Sequence, residues 1–229
     1  MTELSAIAFI PARKYSKRLP GKNKKKLGDM PLFEYTILAA LNSKCYEMVV
    51  LSTDDEEIAA LGKRINGVVT LERPKKYAED HVRAKDVVLY HLKHIQNEFE
   101  YVSLLMPTSP FRDANDIKKS FDILISQGMN SIASVVEYDF HPGLAIRLEG
   151  NGFRSYFGGD FEWIRESDFE KAFHFNGAIF TAKTRILLET GTFIHKDTLA
   201  YKMSAIKSID IDDELDFRVA QLILMDNLL

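Results

Sequence analysis

Two groups of side chains in this sequence could do chemistry. The first lies between Pro11 and Lys26, PARKYSKRLPGKNKKK, where Arg13, Lys14, Lys17, Arg18, Lys22, Lys24, Lys25 and Lys26 are gathered in one short stretch around a Pro20-Gly21 turn. So many cations oppose one another unless an anion lies among them, and a polyphosphate is the simplest such anion. A solvated lysine face or an RNA-binding patch is the other reading of a short basic run. The second group is Ser208-Ile-Asp-Ile-Asp212. Side chains alternate along extended backbone, so Asp210 and Asp212 point one way while Ile209 and Ile211 point to the core. Two carboxylates on one side repel unless a cation sits between them, and magnesium suits oxygen ligands that also approach phosphates. Alternatively they cap the helix that follows, together with Asp213 and Asp216.

Both groups need elements to hold them. The basic run follows Ser5-Ala-Ile-Ala-Phe-Ile10, an apolar segment of strand length, and precedes Pro31-Leu-Phe-Glu-Tyr-Thr-Ile-Leu-Ala-Ala, which has helical spacing. That places it at the carboxyl edge of a sheet, where open α/β sheets bind ligands. A second strand is predicted over 47–52, with Thr53-Asp-Asp-Glu56 as the capping-box start of a helix ending near Gly67, and Asp54 and Asp55 as helix-start carboxylates. A strand over 68–71 leads to a polar loop in which Arg73 could reach a nucleotide. The spacing of Val87, Val88, His91, Leu92 and Ile95 predicts a helix over 84–98, with His91 and His94 as packing or surface groups. A strand over 101–106, the rigid hydroxyl-bearing turn Pro107-Thr-Ser-Pro-Phe-Arg112, a helix over 113–127 and a strand over 131–136 complete the pattern. Such alternation predicts a mainly parallel sheet with helices on both faces.

The alternation breaks over 138–173. A hairpin about Gly150-Asn-Gly152 and an aromatic-rich arm with Phe161, Trp163, Phe169 and Phe173 expose more apolar surface than such a segment buries by itself. It reads as an excursion that packs on a second copy, or as a lid over its own active site. The chain re-enters the core with a strand over 175–181 opened by Asn-Gly, a strand over 201–206 and a last helix over 214–228. The expectation is a single domain over 1–229 with 138–173 inserted as the arm.

With 30 Lys and Arg against 33 Asp and Glu, the formal charge is −3, so the basic stretch is a local feature of a mildly acidic chain. A nucleic-acid binder would be basic overall. The single Cys45 excludes a disulfide framework and a cysteine-based zinc site, which fits a reducing cytoplasm; a small buried residue at a helix end is its expected role. No basic leader and no apolar run of bilayer length is found, so a soluble cytoplasmic protein is expected. There is no Walker loop, no G-x-G-x-x-G and no serine elbow. A triphosphate cradle beside a two-carboxylate magnesium site points instead to nucleotidyl transfer by positioning and charge neutralisation.

Several motifs, in order along nearly the whole chain, resemble those of the CMP-sialic acid synthetase (acylneuraminate cytidylyltransferase) family. They are Ile10-Pro-Ala-Arg13, Ser16-Lys17, Lys22-Asn23, Ser52-Thr-Asp54, Arg73-Pro74, Pro107-Thr-Ser-Pro110, Asn176-Gly-Ala-Ile179 and Ser208-Ile-Asp-Ile-Asp212 with Glu214-Leu-Asp216. The resemblance implies a Rossmann-like sheet of the nucleotide-diphospho-sugar transferase type, a projecting dimerisation arm, a requirement for CTP and magnesium, and a nine-carbon 2-keto acid sugar whose anomeric hydroxyl attacks the α-phosphate. It implies that Arg13 and Lys22 grip the triphosphate, that Ala12, Lys17, Asn23 and Arg73 belong to the nucleotide site, and that Asp210 and Asp212 hold magnesium, one of them also helping to deprotonate the sugar. Met106, Thr108, Ser109 and Asn176 are implied on the sugar side, and Arg165 as the arm arginine that reaches across a homodimer. Three departures stand out. Lys14-Tyr15 replaces small or polar residues, Met106 replaces a glutamine, and His174-Phe175 replaces Arg-Pro. The last two favour a deoxygenated, N-acylated acceptor of the legionaminic type over ordinary sialic acid. The competing expectations are a metal-dependent glycosyltransferase that uses Asp-x-Asp, and a nucleotide-binding module without catalysis.

Overall fold

The computed structural model describes residues 5–157 and 169–228. Its centre is β1 (Ala6–Pro11), whose residues are all buried, as expected of a parallel strand covered on both faces. It pairs in parallel with β4 (Met48–Thr53) on one side and β6 (Tyr101–Leu104) on the other, and β4 pairs in parallel with β5 (Val68–Glu72). Beyond β6 lie β10 (Phe173–Lys183), β7 (Ser131–Glu137) and β11 (Leu199–Lys202), giving the order β11-β7-β10-β6-β1-β4-β5.

Alternate residues of β1 divide the core. Ala6, Ala8 and Ile10 pack with Phe33 and Ile37 of α1 (Leu32–Ser43), Ile58 of α2 (Glu56–Gly62) and Ile117, Phe121 and Leu124 of α4 (Ala114–Ser126). Ile7 and Phe9 face Val88 of α3 (Ala84–Leu92) and Leu187 of α5 (Thr184–Thr190). Helices therefore cover both faces of a mainly parallel α/β sheet. A third cluster seats the basic stretch: Leu19, Leu27 and Phe111 pack against Ile211 and against Phe217, Ala220 and Ile223 of α6 (Glu214–Met225). The ribbon of β2 (Lys26–Leu27) and β3 (Met30–Pro31) closes that stretch onto α1.

Several local expectations change in the folded chain. The α2 cap is Asp55, whose carboxylate accepts from the N–H groups of Glu57 and Ile58; Thr53 ends β4 instead, and the helix stops at Gly62. Helix α3 stops at Leu92, and α5 occupies a stretch for which no element was anticipated. The strand predicted over 201–206 ends at Lys202, and a single 3-10 turn follows at Ile206–Ser208. Asn176-Gly177 does not open its strand but bulges it, because the register with β7 shifts between Phe175 and Phe180 and Gly177 takes φ +77°, where a side chain would be strained. β10 runs antiparallel to both β6 and β7, the two antiparallel pairings of the large sheet among the described residues. Cys45 is buried just beyond α1, as expected.

The excursion contains the hairpin β8 (Ile146–Glu149) and β9 (Gly152–Ser155), which forms a separate two-stranded sheet. Leu148 is 78% exposed and Phe140 81% exposed, and Phe153, Tyr156 and Phe157 are also exposed, so this segment leaves a large apolar surface uncovered. Arg165, Phe161 and Trp163 lie outside the described residues. Among the described residues no helix is long and apolar enough to cross a membrane.

Candidate active site

The carboxyl ends of β1 and β6 adjoin, and the chain leaves β1 toward β4 on one side and later returns to β6 on the other. This is a topological switch point, where loops diverge and leave a crevice. A cavity of about 510 Å³ opens there, lined by the segments after β1, β5 and β6 and by the stretch before α6. Arg13, Lys17, Arg18, Lys22, Asn23, Arg73, Met106, Thr108, Asp210 and Asp212 all line it, as do Ser16, Asp80 and Val82. Five cations face three carboxylates, a net positive lining that suits a polyanion.

The basic segment is built to hold one shape. Pro20-Gly21 turns it, with Gly21 at φ +67° starting the 3-10 turn Lys22–Lys24. The Asn23 amide donates to the Arg13 carbonyl at 2.8 Å, tying the two ends of the segment together, and the Lys14 N–H donates to Asp54. Six of its cations are already bonded to protein carboxylates. Arg13 and Lys17 each take one oxygen of Asp80 at 2.8 Å. Lys22 binds Asp212 at 2.9 Å, and Arg18 binds the other oxygen of that carboxylate. Lys24 reaches Asp55 and Glu57, and Lys25 reaches Glu214, so these two are used outside the cavity. The idea that mutual repulsion demands a bound anion is thus only partly met, because the fold supplies anions of its own.

Arg73 is buried beneath the cavity, and its Nε and Nη2 both donate to the Tyr77 carbonyl. Burial lowers its pKa, with the nearby Arg13 charge acting in the same direction and Asp54 opposing. On the opposite wall the Met106 carbonyl accepts from Ser109 N–H and from the Thr36 hydroxyl. The Thr108 carbonyl accepts from Ile211 N–H at 2.8 Å, which locks this turn to the carboxylate strand. Buried Ile211 then directs its neighbours Asp210 and Asp212 into the same cavity, as alternation predicts.

The two carboxyls differ. Partial withdrawal from water raises Asp210, reinforced by the Asp212 charge and opposed by the Thr108 hydroxyl and Lys22; the residue keeps solvent-facing surface, so the direction reflects its place inside the cavity wall. For Asp212 the same burial effect is outweighed by Lys22 and Arg18, which hold it below the ordinary carboxylate range. Neither serves as a cap. Asp213 caps α6 by accepting from Leu215 and Asp216 N–H groups, and Asp216 reaches back to Asp212 and Asp213 N–H groups. Among the described residues no third His, Cys, Asp or Glu joins the pair. Magnesium is commonly held by one or two carboxylates with waters and substrate phosphates completing its shell, and the pair fits that demand.

Three residues expected at the site lie outside the cavity lining. Ala12 is fully buried, and its N–H donates to the Ser52 carbonyl. Ser109 is buried behind the Thr108 turn. Asn176 is used within the fold: its Oδ1 accepts from the Ser134 hydroxyl and Ala178 N–H, while its Nδ2 donates to Ser208. His174 is paired into β10 opposite Val136, with its ring against Tyr138, and is likewise absent from the lining. In turn Asp80 and Val82 were not anticipated, although Asp80 stands only a few residues after Arg73 at the same sheet edge. Arg112 was read only as the end of a turn; it is 1% exposed, and its Nη1 donates to the Ser109 carbonyl at 3.2 Å.

The family model for cytidylyltransferases matches residues 7–143. An N-acylneuraminate cytidylyltransferase of Escherichia coli is 37% identical over 216 residues, covering 93% of this chain and 51% of that protein, so the chain spans about half the length of that relative. A CMP-N,N'-diacetyllegionaminic acid synthase of Legionella pneumophila is 33% identical over 225 residues, covering 94% of each. Among solved structures, a CMP:2-keto-3-deoxy-manno-octonic acid synthetase complexed with CTP superposes with a TM-score of 0.71 over 98% of this chain and 99% of that one, at 15% identity, a likeness of fold.

Proposed function

Since the chain belongs to the acylneuraminate cytidylyltransferase (CMP-sialic acid synthetase) family, we propose that it transfers CMP from CTP to the anomeric hydroxyl of a nine-carbon 2-keto acid sugar. The hydroxyl oxygen bonds to the α-phosphorus, the bond from that phosphorus to the bridging oxygen breaks, and pyrophosphate leaves with the electron pair. The observation that carries this reading is the meeting of Arg13, Lys17, Lys22 and Arg73 with the Asp210 and Asp212 pair around one cavity. Nucleotidyl transfer needs both groups at once, whereas glycosyl transfer from a nucleotide sugar has no use for a triphosphate cradle.

In this reading Arg13, Lys17 and Lys22 bind the phosphates, and Asn23 holds their segment in shape. Arg73 fixes the nucleotide side of the cavity from beneath, with Ala12 as part of the strand end behind it. Asp210 and Asp212 hold magnesium, which when bound neutralises polyphosphate charge. Asp210, which lacks the lysine and arginine contacts made by Asp212, is the one that receives the proton of the attacking hydroxyl. Thr108 and Met106 face the sugar, and Ser109 and Asn176 act from behind that wall by fixing the turn and the bulged strand. A thioether at position 106 cannot donate to a sugar hydroxyl, which favours an acceptor with a methyl or N-acyl group there. We therefore favour a legionaminic-type acid over N-acetylneuraminic acid.

The exposed apolar excursion supports a homodimer, with Arg165 reaching the partner's active site. The single cysteine supports a cytoplasmic setting. Pyrophosphate release from CTP with magnesium and a panel of keto-acid sugars tests the reaction. Release with a nine-carbon acid is expected, and CTP binding without release for any acceptor would refute catalysis. Equal kcat/KM for the legionaminic and N-acetylneuraminic acids would refute the acceptor preference. For the dimer, Arg165→Ala and Asp212→Asn chains should restore activity when mixed, and heterodimers that stay inactive would refute the shared site.

A further inference from the structure

Asp80 stands apart from the other aspartates in the loops at the carboxyl edge of the sheet. Asp55, Asp113 and Asp213 are spent on helix N-caps, and Asp212 belongs to the Asp210 pair. Asp80 caps no helix. It lies between the 3-10 turn Lys75–Tyr77 and α3, and its two oxygens are divided between Arg13 Nη1 and Lys17 Nζ, each at 2.8 Å. A carboxylate bridging a guanidinium and an ammonium occupies the donors that two phosphate oxygens would take. All three side chains line the cavity, so ligand and Asp80 compete for the same hydrogens.

We propose that Asp80 is a specificity residue, an internal anion that occupies Arg13 and Lys17 until a polyphosphate displaces it, so that these cations serve only ligands with phosphate beyond the nucleoside. The proposal rests on the reading of the cavity as a triphosphate site. Side-chain exposures of 32%, 79% and 47% for Arg13, Lys17 and Asp80 mark the pairs as partly solvated, and such pairs hold weakly. A triphosphate brings several charged oxygens to the same donors and wins them from a single carboxylate. A ligand lacking those oxygens leaves the bridge closed and gains nothing from either cation.

The sign of one substitution separates this from a supporting role. If Asp80 merely held Arg13 and Lys17 in place for substrate, removing its charge would weaken nucleotide binding; if it competes, binding must tighten. Calorimetric titration of wild type and Asp80→Asn with CTP, pyrophosphate and cytidine provides the readout. Two partly exposed pairs correspond to a tightening of roughly 2- to 30-fold for CTP and pyrophosphate in the variant, with cytidine unchanged. Asp80→Ala should change affinity in the same direction, and Asp80→Glu should return it toward wild type. Thermal melting of both uncharged variants checks that they remain folded. Weaker or unchanged CTP binding in the folded variants, or equal tightening of cytidine, overturns the proposal while leaving the triphosphate site intact. A wild-type protein that binds neither CTP nor pyrophosphate overturns the triphosphate site and the proposal with it.

Discussion

Acid should destabilise this fold through His91. Its side chain projects from α3 into the core, with the residue 4% exposed, Nε2 bonded to the Ser52 hydroxyl at 2.7 Å and the ring stacked on Phe9 at a centroid distance of 6.0 Å. Burial, assisted by the His94 and Arg73 charges, lowers its pKa from 6.5 to about 4. An unfolded chain takes up the proton as pH falls through 6.5, whereas the folded chain refuses it until about 4. The unfolded state therefore binds more protons throughout that interval, and the part of the stability linked to His91 falls as pH falls across it, then levels off below. A gap of about 2.5 units corresponds to about 3 kcal/mol. That is a large share of a typical folding free energy. Urea unfolding at closely spaced pH values from 7.5 to 4 should show the loss in wild type and a much flatter profile in His91→Gln, which starts lower for want of the stacked ring. Asp210 and Glu34, whose carboxyls are raised chiefly by burial, act in the opposite direction near the bottom of the range and are common to both proteins. Parallel pH profiles for wild type and variant would refute the reasoning.

Other substitutions separate site chemistry from fold. Asp212→Asn should abolish pyrophosphate release while changing urea stability by no more than about 1 kcal/mol, because the carboxylate is partly exposed and its ion pairs are screened; wild-type turnover across a magnesium titration would remove the metal role. Arg13→Ala deletes a charge-assisted contact of the kind that contributes about 1.5 to 3 kcal/mol, so CTP affinity should fall by roughly 10- to 150-fold, less whatever freeing Asp80 offsets. Arg112→Ala should destabilise by about 3 kcal/mol or more, and Arg112→Met by clearly less, because its burial holds the guanidinium pKa down to about 10 and an apolar chain of similar volume removes the desolvation cost without leaving a void. Equal losses in urea for the two variants would contradict that account.

How much was legible along the chain depended on whether the deciding interactions were local. Strands β1, β4, β5, β6 and β7 and helices α1 and α4 follow from runs and periodicities read within a dozen residues, and so does the part of Asp213 and Asp216 in starting the last helix. The common direction of Asp210 and Asp212 also needed only alternation and a buried Ile211. The cap of α2 was misplaced by two residues because Thr53, Asp54 and Asp55 are all competent caps, and only the end of the β4 ladder chooses among them.

Partners distant in sequence could not be read in this way. Arg18 finds Asp212, and Arg13 finds Asp80, only because loops after different strands converge at one sheet edge. Nothing in the basic stretch distinguishes the cations that enter the cavity from Lys24 and Lys25, which the fold turns toward Glu57 and Glu214. The direction of β10 was likewise open, since a buried strand has the same pattern of apolar residues whichever way it runs. The family resemblance places Asn176 on the sugar side, and the β10 bulge turns its amide inward to Ser134 and Ser208. The sequence by itself thus determined the alternating α/β layers and the two charged groups, because burial period and charge density are properties of neighbouring residues. Which cation meets which carboxylate was decided only by the tertiary structure, because ion pairing depends on separations of a few ångströms between segments that the chain does not connect locally.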